Sequence, residues 1–99
     1  MTEETLNYDF DPEKNLKLKR ERGISFEEVI TAIEEGHLID VIDHPNAEKF
    51  KHQKIYVVEI EGYVYLVPFV KQSQQIFLKT IFPSRKLTKR YLKQLTKGK

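Results

Sequence analysis

Two hydrophobic rhythms divide this chain near Leu38: apolar residues recur at helical spacing before it and alternate or run together as strands do after it. Asp11-Pro12 opens a first helix, because Asp accepts hydrogen bonds from free backbone N–H groups and Pro at the next position has none to lose. Gly23 closes it. The intervening EKNLKLKRER is polar, with Leu16 and Leu18 as its apolar anchors, which predicts a surface helix. Ser25 and Glu28 have capping-box spacing. Phe26, Val29, Ile30 and Ile33 follow at i, i+3, i+4 and i+7, so a second helix presents a core stripe and ends near Gly36.

Residues 38–42 form a short predicted strand, stopped by the turn chemistry of Asp43-His44-Pro45-Asn46. A polar loop, AEKFKHQ, follows. Residues 54–60 and 63–70 are rich in β-branched and aromatic side chains, and Glu61-Gly62 between them predicts a tight hairpin. Pro68 cannot donate to a ladder, which places it at a bulge or a strand end. After a turn at 72–74, residues 75–82 predict the last strand, with Ile76, Leu78, Thr80 and Phe82 on one face and Phe77, Lys79 and Ile81 on the other. Pro83 stops it and Ser84 caps a final helix. The expected fold is α+β: two N-terminal helices, an antiparallel sheet of about four strands and a basic C-terminal helix, with room for a small strand at 7–10.

Ninety-nine residues, 39% of them hydrophobic, with eleven Phe and Tyr, fit a single domain over 1–99 whose modest core needs no staple. Cysteine is absent, which excludes disulfides, thiolate catalysis and cysteine-ligated zinc. The first ten residues, MTEETLNYDF, lack the basic and apolar regions of a secretory signal, and the longest apolar run, 63–70, is too short to span a bilayer. A cytoplasmic protein without membrane contact is the expectation.

Charge sharpens the picture. Every Asp and Glu lies at or before Glu61: the first sixty-one residues hold fifteen acids against eight bases, and the rest carries nine bases and no acid. The net +2 hides that split. From Ser84 to the end, a helical wheel puts Leu87, Thr88, Tyr91, Leu92 and Leu95 on one face and Arg85, Lys86, Lys89, Arg90, Lys93 and Lys97 on the other. Ordinary solvated faces mix both signs, so this one points to a polyanionic partner.

Three segments carry a resemblance. Tyr8-Asp9-Phe10-Asp11-Pro12-Glu13-Lys14, then Gly23-Ile24-Ser25-Phe26-Glu27-Glu28, then Ser84-Arg85-Lys86 after an apolar strand resemble the BrnT toxins, which belong to the RelE-like ribonuclease toxins of bacterial type II toxin–antitoxin systems. The motifs are short, but their order and spacing span nearly the whole chain. The resemblance implies a RelE-like fold, metal-independent endoribonuclease activity on RNA, and a cognate antitoxin protein as partner. The chain also departs from the family pattern. Leu18 and Glu21-Arg22 stand where an Asn and a Lys-His pair are common, His52 and Lys54 where an acidic and a basic residue begin the central hairpin, and Tyr91 where the last helix often has Glu. Arg85 is the family's best-matched site residue.

Cleaving RNA without a metal takes a base for the 2′-hydroxyl proton, cations for the phosphorane and an acid for the leaving 5′ oxygen. The candidate catalytic set is Arg85, His52, Lys54 and Lys79: Arg85 as a planar fork for phosphate, the lysines as point charges, and His52 as the proton acceptor. Arg85 with Lys79, Lys54 and Lys86 is expected to form an anion site where strand ends and the start of the last helix converge near Phe82 to Arg85. Lys86, Lys89, Arg90 and Lys93 are the candidate RNA-binding residues. Tyr63 and Tyr65 suit either base stacking or the sheet face; Tyr91 suits proton donation less well than core packing. His37 reads as a helix-end residue and His44 as a turn residue. With Asp40 and Asp43 they match no strong zinc pattern, and no cofactor or metal is expected. The thin set of proton carriers leaves a second reading open, a nonenzymatic module that binds nucleic acid or protein on the same scaffold. No phosphate-binding loop, dinucleotide fingerprint, zinc-protease or serine-hydrolase motif occurs in the sequence.

Overall fold

The computed structural model describes residues 6–46, 48–49 and 52–97, with side chains to 94. Lys51 of the polar loop and the side chains of Leu95 and Lys97 lie outside the described residues. Nine elements follow in order: β1 (Asn7–Phe10), α1 (Pro12–Arg22), α2 (Phe26–Glu34), β2 (Leu38–Asp43), β3 (Gln53–Ile60), β4 (Tyr63–Gln72), β5 (Gln75–Leu78), β6 (Phe82–Pro83) and α3 (Arg85–Lys97). The fold is α+β, with two N-terminal helices, a mixed sheet and a C-terminal helix.

Local signals account for the helix ends. Asp11 accepts from the Glu13 N–H at the start of α1, and Gly23, at φ 67°, ends it with its N–H on the Lys19 carbonyl. Ser25 and Glu28 form both halves of the capping box on α2. One anchor of α1 differs from expectation. Leu16 is 54% exposed, whereas Asn15 is buried beside Leu18. Its amide clips α1 to α2, accepting the Phe26 N–H at 2.7 Å and donating to Glu27 Oε1 at 2.9 Å.

The sheet has six strands in the order β1-β5-β4-β3-β2, with β6 continuing the β5 row against β4. It is mixed rather than antiparallel, because β1 runs parallel to β5, Tyr8 beside Ile76 and Phe10 beside Leu78. The alternating pattern of β1 turns Tyr8 and Phe10 toward the core, where Phe10 stacks on Phe26 at 5.0 Å. At the β3–β4 hairpin, Glu61 and Gly62 both take positive φ, 53° and 83°, as a type I′ turn requires.

The expected last strand is broken in two, and Pro68 explains why. Leu78 pairs with Phe69 and Phe82 with Leu66, so three residues, Lys79 to Ile81, pass two on β4. The Lys79 N–H bonds the Pro68 carbonyl at 2.8 Å, and the extra residue bulges opposite the missing donor. The shift reverses the faces beyond it. Ile81, expected with Lys79, is fully buried with Ile76 and Leu78, and Phe82 is exposed.

α1 and α2 cover one sheet face, burying Leu18, Phe26 and Val29 against Tyr56, Val58, Val67, Phe69, Ile76 and Leu78. α3 lies on the opposite face, near Val57 and Val64, through Leu87 and Tyr91. Among the described residues no helix is long and apolar enough to cross a membrane.

Candidate nucleic-acid interface

Helix α3 is pinned to β4 at its first turn. The Ser84 N–H bonds the Val64 carbonyl at 2.9 Å, and Ser84 Oγ accepts the Leu87 N–H. Thr88, buried at 7% exposure, takes the Val64 N–H on its hydroxyl. Thr88 therefore marks the side of α3 that faces the sheet. Successive residues turn by about 100°. Leu87, Arg90, Tyr91 and Gln94 fall on one flank, where they line a groove of about 370 Å³ over Ile39, Asp40 and Ile42 of β2. Arg85, Lys89 and Lys93 fall on the other flank, toward β5 and β6, with Lys86 on the outward side; all four are exposed. Leu92, expected in the apolar stripe, is 47% exposed on this same flank.

β5 neighbours β4 on the side away from β3, so the sheet surface between this flank of α3 and β5 forms a strip with β5 as its far wall. Phe77 sits between the core residues Ile76 and Leu78, so alternation sends it to the α3 face, where it is partly exposed. Lys79 Nζ lies 5.6 Å from the Phe77 ring centroid, which places Lys79 on the same face. Leu66 and Val70, half-buried, alternate with Val67 and Phe69 and lie between α3 and β5, with Pro68 buried between them. Every residue of this strip follows Glu61, so its walls and floor contain no carboxylate.

Only half of the expected catalytic set shares this strip. Arg85 and Lys79 border it; His52 and Lys54 do not. Lys54 opposes Phe69 on β4 and points to the other face, where it pairs with Asp43 at 3.4 Å. His52 and Lys54 line a cleft of about 480 Å³ with Lys71, Tyr56 and Phe69. The expected convergence near Phe82 to Arg85 fails for a second reason. Ser84 bonds to Val64, five residues along β4 from Phe69, and that separates the two ends by about 16 Å at about 3.3 Å per residue. Arg90 also departs from the expected RNA-binding group, since it lines the β2 groove with Asp40 instead of the strip. Lys71 and Phe77 lie outside the candidate set, although the placement of Phe77 with Lys79 is readable from β5 alternation.

Tyr63 and Tyr65 are unsuited to stacking nucleotides. They border a cleft of about 680 Å³ that also carries Glu27, Glu28, Glu35, Glu59 and Glu61. Burial, then Glu28, Tyr63 and Glu61, push the Tyr65 phenol above its ordinary value. In the His52 cleft, burial, reinforced by Tyr8, raises the Tyr56 phenol above its ordinary value, which disfavours the phenolate that a base would need. His37 closes the end of α2 by donating its backbone N–H to the Ala32 carbonyl, and its Nδ1 lies 2.9 Å from Glu59 Oε1. His44 Nδ1 accepts the Asn46 N–H, a turn contact. Among the described residues, no three His, Cys, Asp or Glu side chains gather as a metal-holding group.

Comparison of the chain with family models, with curated proteins and with solved structures gives no match.

Proposed function

We propose that this chain is an RNA-directed protein on a RelE-like scaffold, the toxin of a type II toxin–antitoxin pair, and that it grips single-stranded RNA along the strip between α3 and β5. The observation that carries this reading is the acid-free strip, with Arg85, Lys89 and Lys93 on one wall and Lys79 beside the exposed Phe77 on the other. Cations spaced along a groove track a phosphate backbone, and an exposed aromatic ring offers a base a stacking surface. Arg85 presents two parallel donors to one phosphate, with Lys79 as a point charge across the strip. In metal-independent cleavage Arg85 would stabilise the phosphorane, while Lys79, bonded through its N–H to Pro68 and so four residues along β4 from Val64, or about 13 Å at about 3.3 Å per residue, would grip a neighbouring phosphate. A cognate antitoxin with an acidic segment would neutralise the protein by covering the same cations.

A second reading, RNA binding without cleavage, is favoured by one placement: His52, the candidate proton acceptor, lies on the opposite sheet face. Incubating purified protein with single-stranded RNA and a chelator separates the two. The toxin reading predicts defined fragments, with Arg85→Ala slowing cleavage about tenfold or more. Intact RNA that is nevertheless retained by the protein establishes the binding module. RNA that is neither cut nor bound removes both.

A further inference from the structure

The two edges of the sheet are protected to different degrees. β1 is four residues long, but β2 runs for six, Leu38–Asp43, and among the described residues no strand pairs with its outer side. Edge strands are commonly blunted by Lys, Pro, other charges or a bulge; β2 has no Lys or Pro and its bulge lies at its start, between Leu38 and Asp40, while the Val41 N–H is held by the Asp40 carboxylate at 2.8 Å, a contact that pairing at Val41 would exchange. Instead it exposes Ile39 and Val41 at 43% each and Ile42 at 36%. On the α3 face, the groove beside it has an apolar floor that includes Ile42 and Val57, with Arg90 on its wall.

We propose that β2 is the pairing edge of a two-fold dimer, in which a second copy of this chain adds its own β2 antiparallel with Val41 on the axis. A two-fold axis normal to the sheet keeps like faces together, so even-numbered residues oppose even and odd oppose odd. Two registers of this kind overlap most of the strand. With Asp40 on the axis, two carboxylates stand directly opposite each other, which is destabilising. With Val41 on the axis, Val41 meets Val41 and each Asp40 meets Ile42 of the other copy, so no like charges oppose. That register also delivers Asp40 of the second copy to the face where Arg90 lines the groove. The strand is thus complementary to itself in apolar surface and in charge. The RNA strip lies on the other flank of α3, so the dimer leaves both strips open.

Six residues make a small interface, and association is expected to depend on concentration. The sequence lacks Cys, so Val41→Cys supplies a single thiol. Paired residues across antiparallel strands have Cα atoms about 4.5–5.5 Å apart, within disulfide range. Sedimentation of the wild-type protein should show a concentration-dependent dimer. Mild oxidation of Val41→Cys should give a covalent dimer much faster than the exposed control Glu13→Cys. A mixture of Asp40→Cys and Ile42→Cys should cross-link faster than either alone. Val41→Lys, which opposes two ammonium groups, should weaken the dimer about tenfold or more with an unchanged circular dichroism spectrum. A wild-type chain that stays monomeric at every concentration, or Val41→Cys cross-linking no faster than the control, overturns the proposal. Pairing of β2 only with another protein's strand overturns it as well.

Discussion

Thr88 on α3 accepts the backbone N–H of Val64 on β4 at 2.8 Å while donating its own hydroxyl proton to the Ser84 carbonyl at 2.7 Å. One hydroxyl thus ends a helical turn and fixes that turn to the sheet. Its consequence for function is rotational. With Thr88 held against β4, Arg85, Lys89 and Lys93 must face the open strip, and Arg90 must face the β2 groove. Thr88→Val keeps the shape but leaves the buried Val64 N–H without an acceptor, at about 1–3 kcal/mol. Thermal denaturation should show a Tm lower by several degrees. RNA affinity should fall with it, although no cation has been changed.

Asn15 makes the corresponding link on the other face, where its amide joins the first turn of α1 to the start of α2. Asn15→Ala removes the acceptor from a buried Phe26 N–H, and urea denaturation should register about 1–3 kcal/mol of lost stability. RNA binding, measured where the variant is folded, should be unchanged because the strip lies across the sheet.

Glu59 predicts an acid-sensitive hairpin. The Gly62 N–H at 2.7 Å, aided by His37, holds its carboxyl below the ordinary 4.5 despite some burial. A depressed carboxylate contributes stability that is fully present above its unfolded value and is lost as pH falls through the folded one. Wild-type Tm should therefore fall below about pH 4.5 by more than that of Glu59→Gln. The two curves should converge toward low pH. Parallel curves throughout would show that the Glu59 charge contributes nothing to the turn.

The helices and the central hairpin were legible because their signals are local: Asp11-Pro12, the Ser25/Glu28 box and Glu61-Gly62 each specify a backbone geometry within a few residues. β1 was harder, since four alternating residues become a strand only when β5 lies alongside them. The break after Leu78 shows the same limit. Pro68 announced a bulge, but which residue of the neighbouring strand would be displaced depended on pairing between strands. Site placement was the least legible. Arg85 and Lys79 fall on one sheet face and His52 and Lys54 on the other because strand alternation is decided by register, and a wheel drawn for residues 84–97 could not say which flank of the helix would meet β2.

Lys89 and Arg90 are neighbours in sequence but lie on opposite flanks of α3, and charge reversal at each should have different effects. Lys89→Glu places a carboxylate in the strip and should weaken RNA binding severalfold in a filter-binding assay, more at low salt than at high. Arg90→Glu, beside Asp40, should leave RNA affinity nearer the wild-type value.

Whether RNA lies along the α3–β5 strip is decided by the salt dependence of single-stranded RNA binding. Wild-type protein should be compared with Lys79→Ala/Arg85→Ala and with His52→Ala/Lys54→Ala. Loss of a phosphate contact to a single strand reduces the slope of log K against log salt by about 0.7. The Lys79/Arg85 pair should flatten the slope by about twice that amount and weaken binding, while the His52/Lys54 pair should leave both at wild-type values. A flattened slope for His52/Lys54 with an unchanged one for Lys79/Arg85 would place the RNA on the opposite face and contradict its placement along the strip.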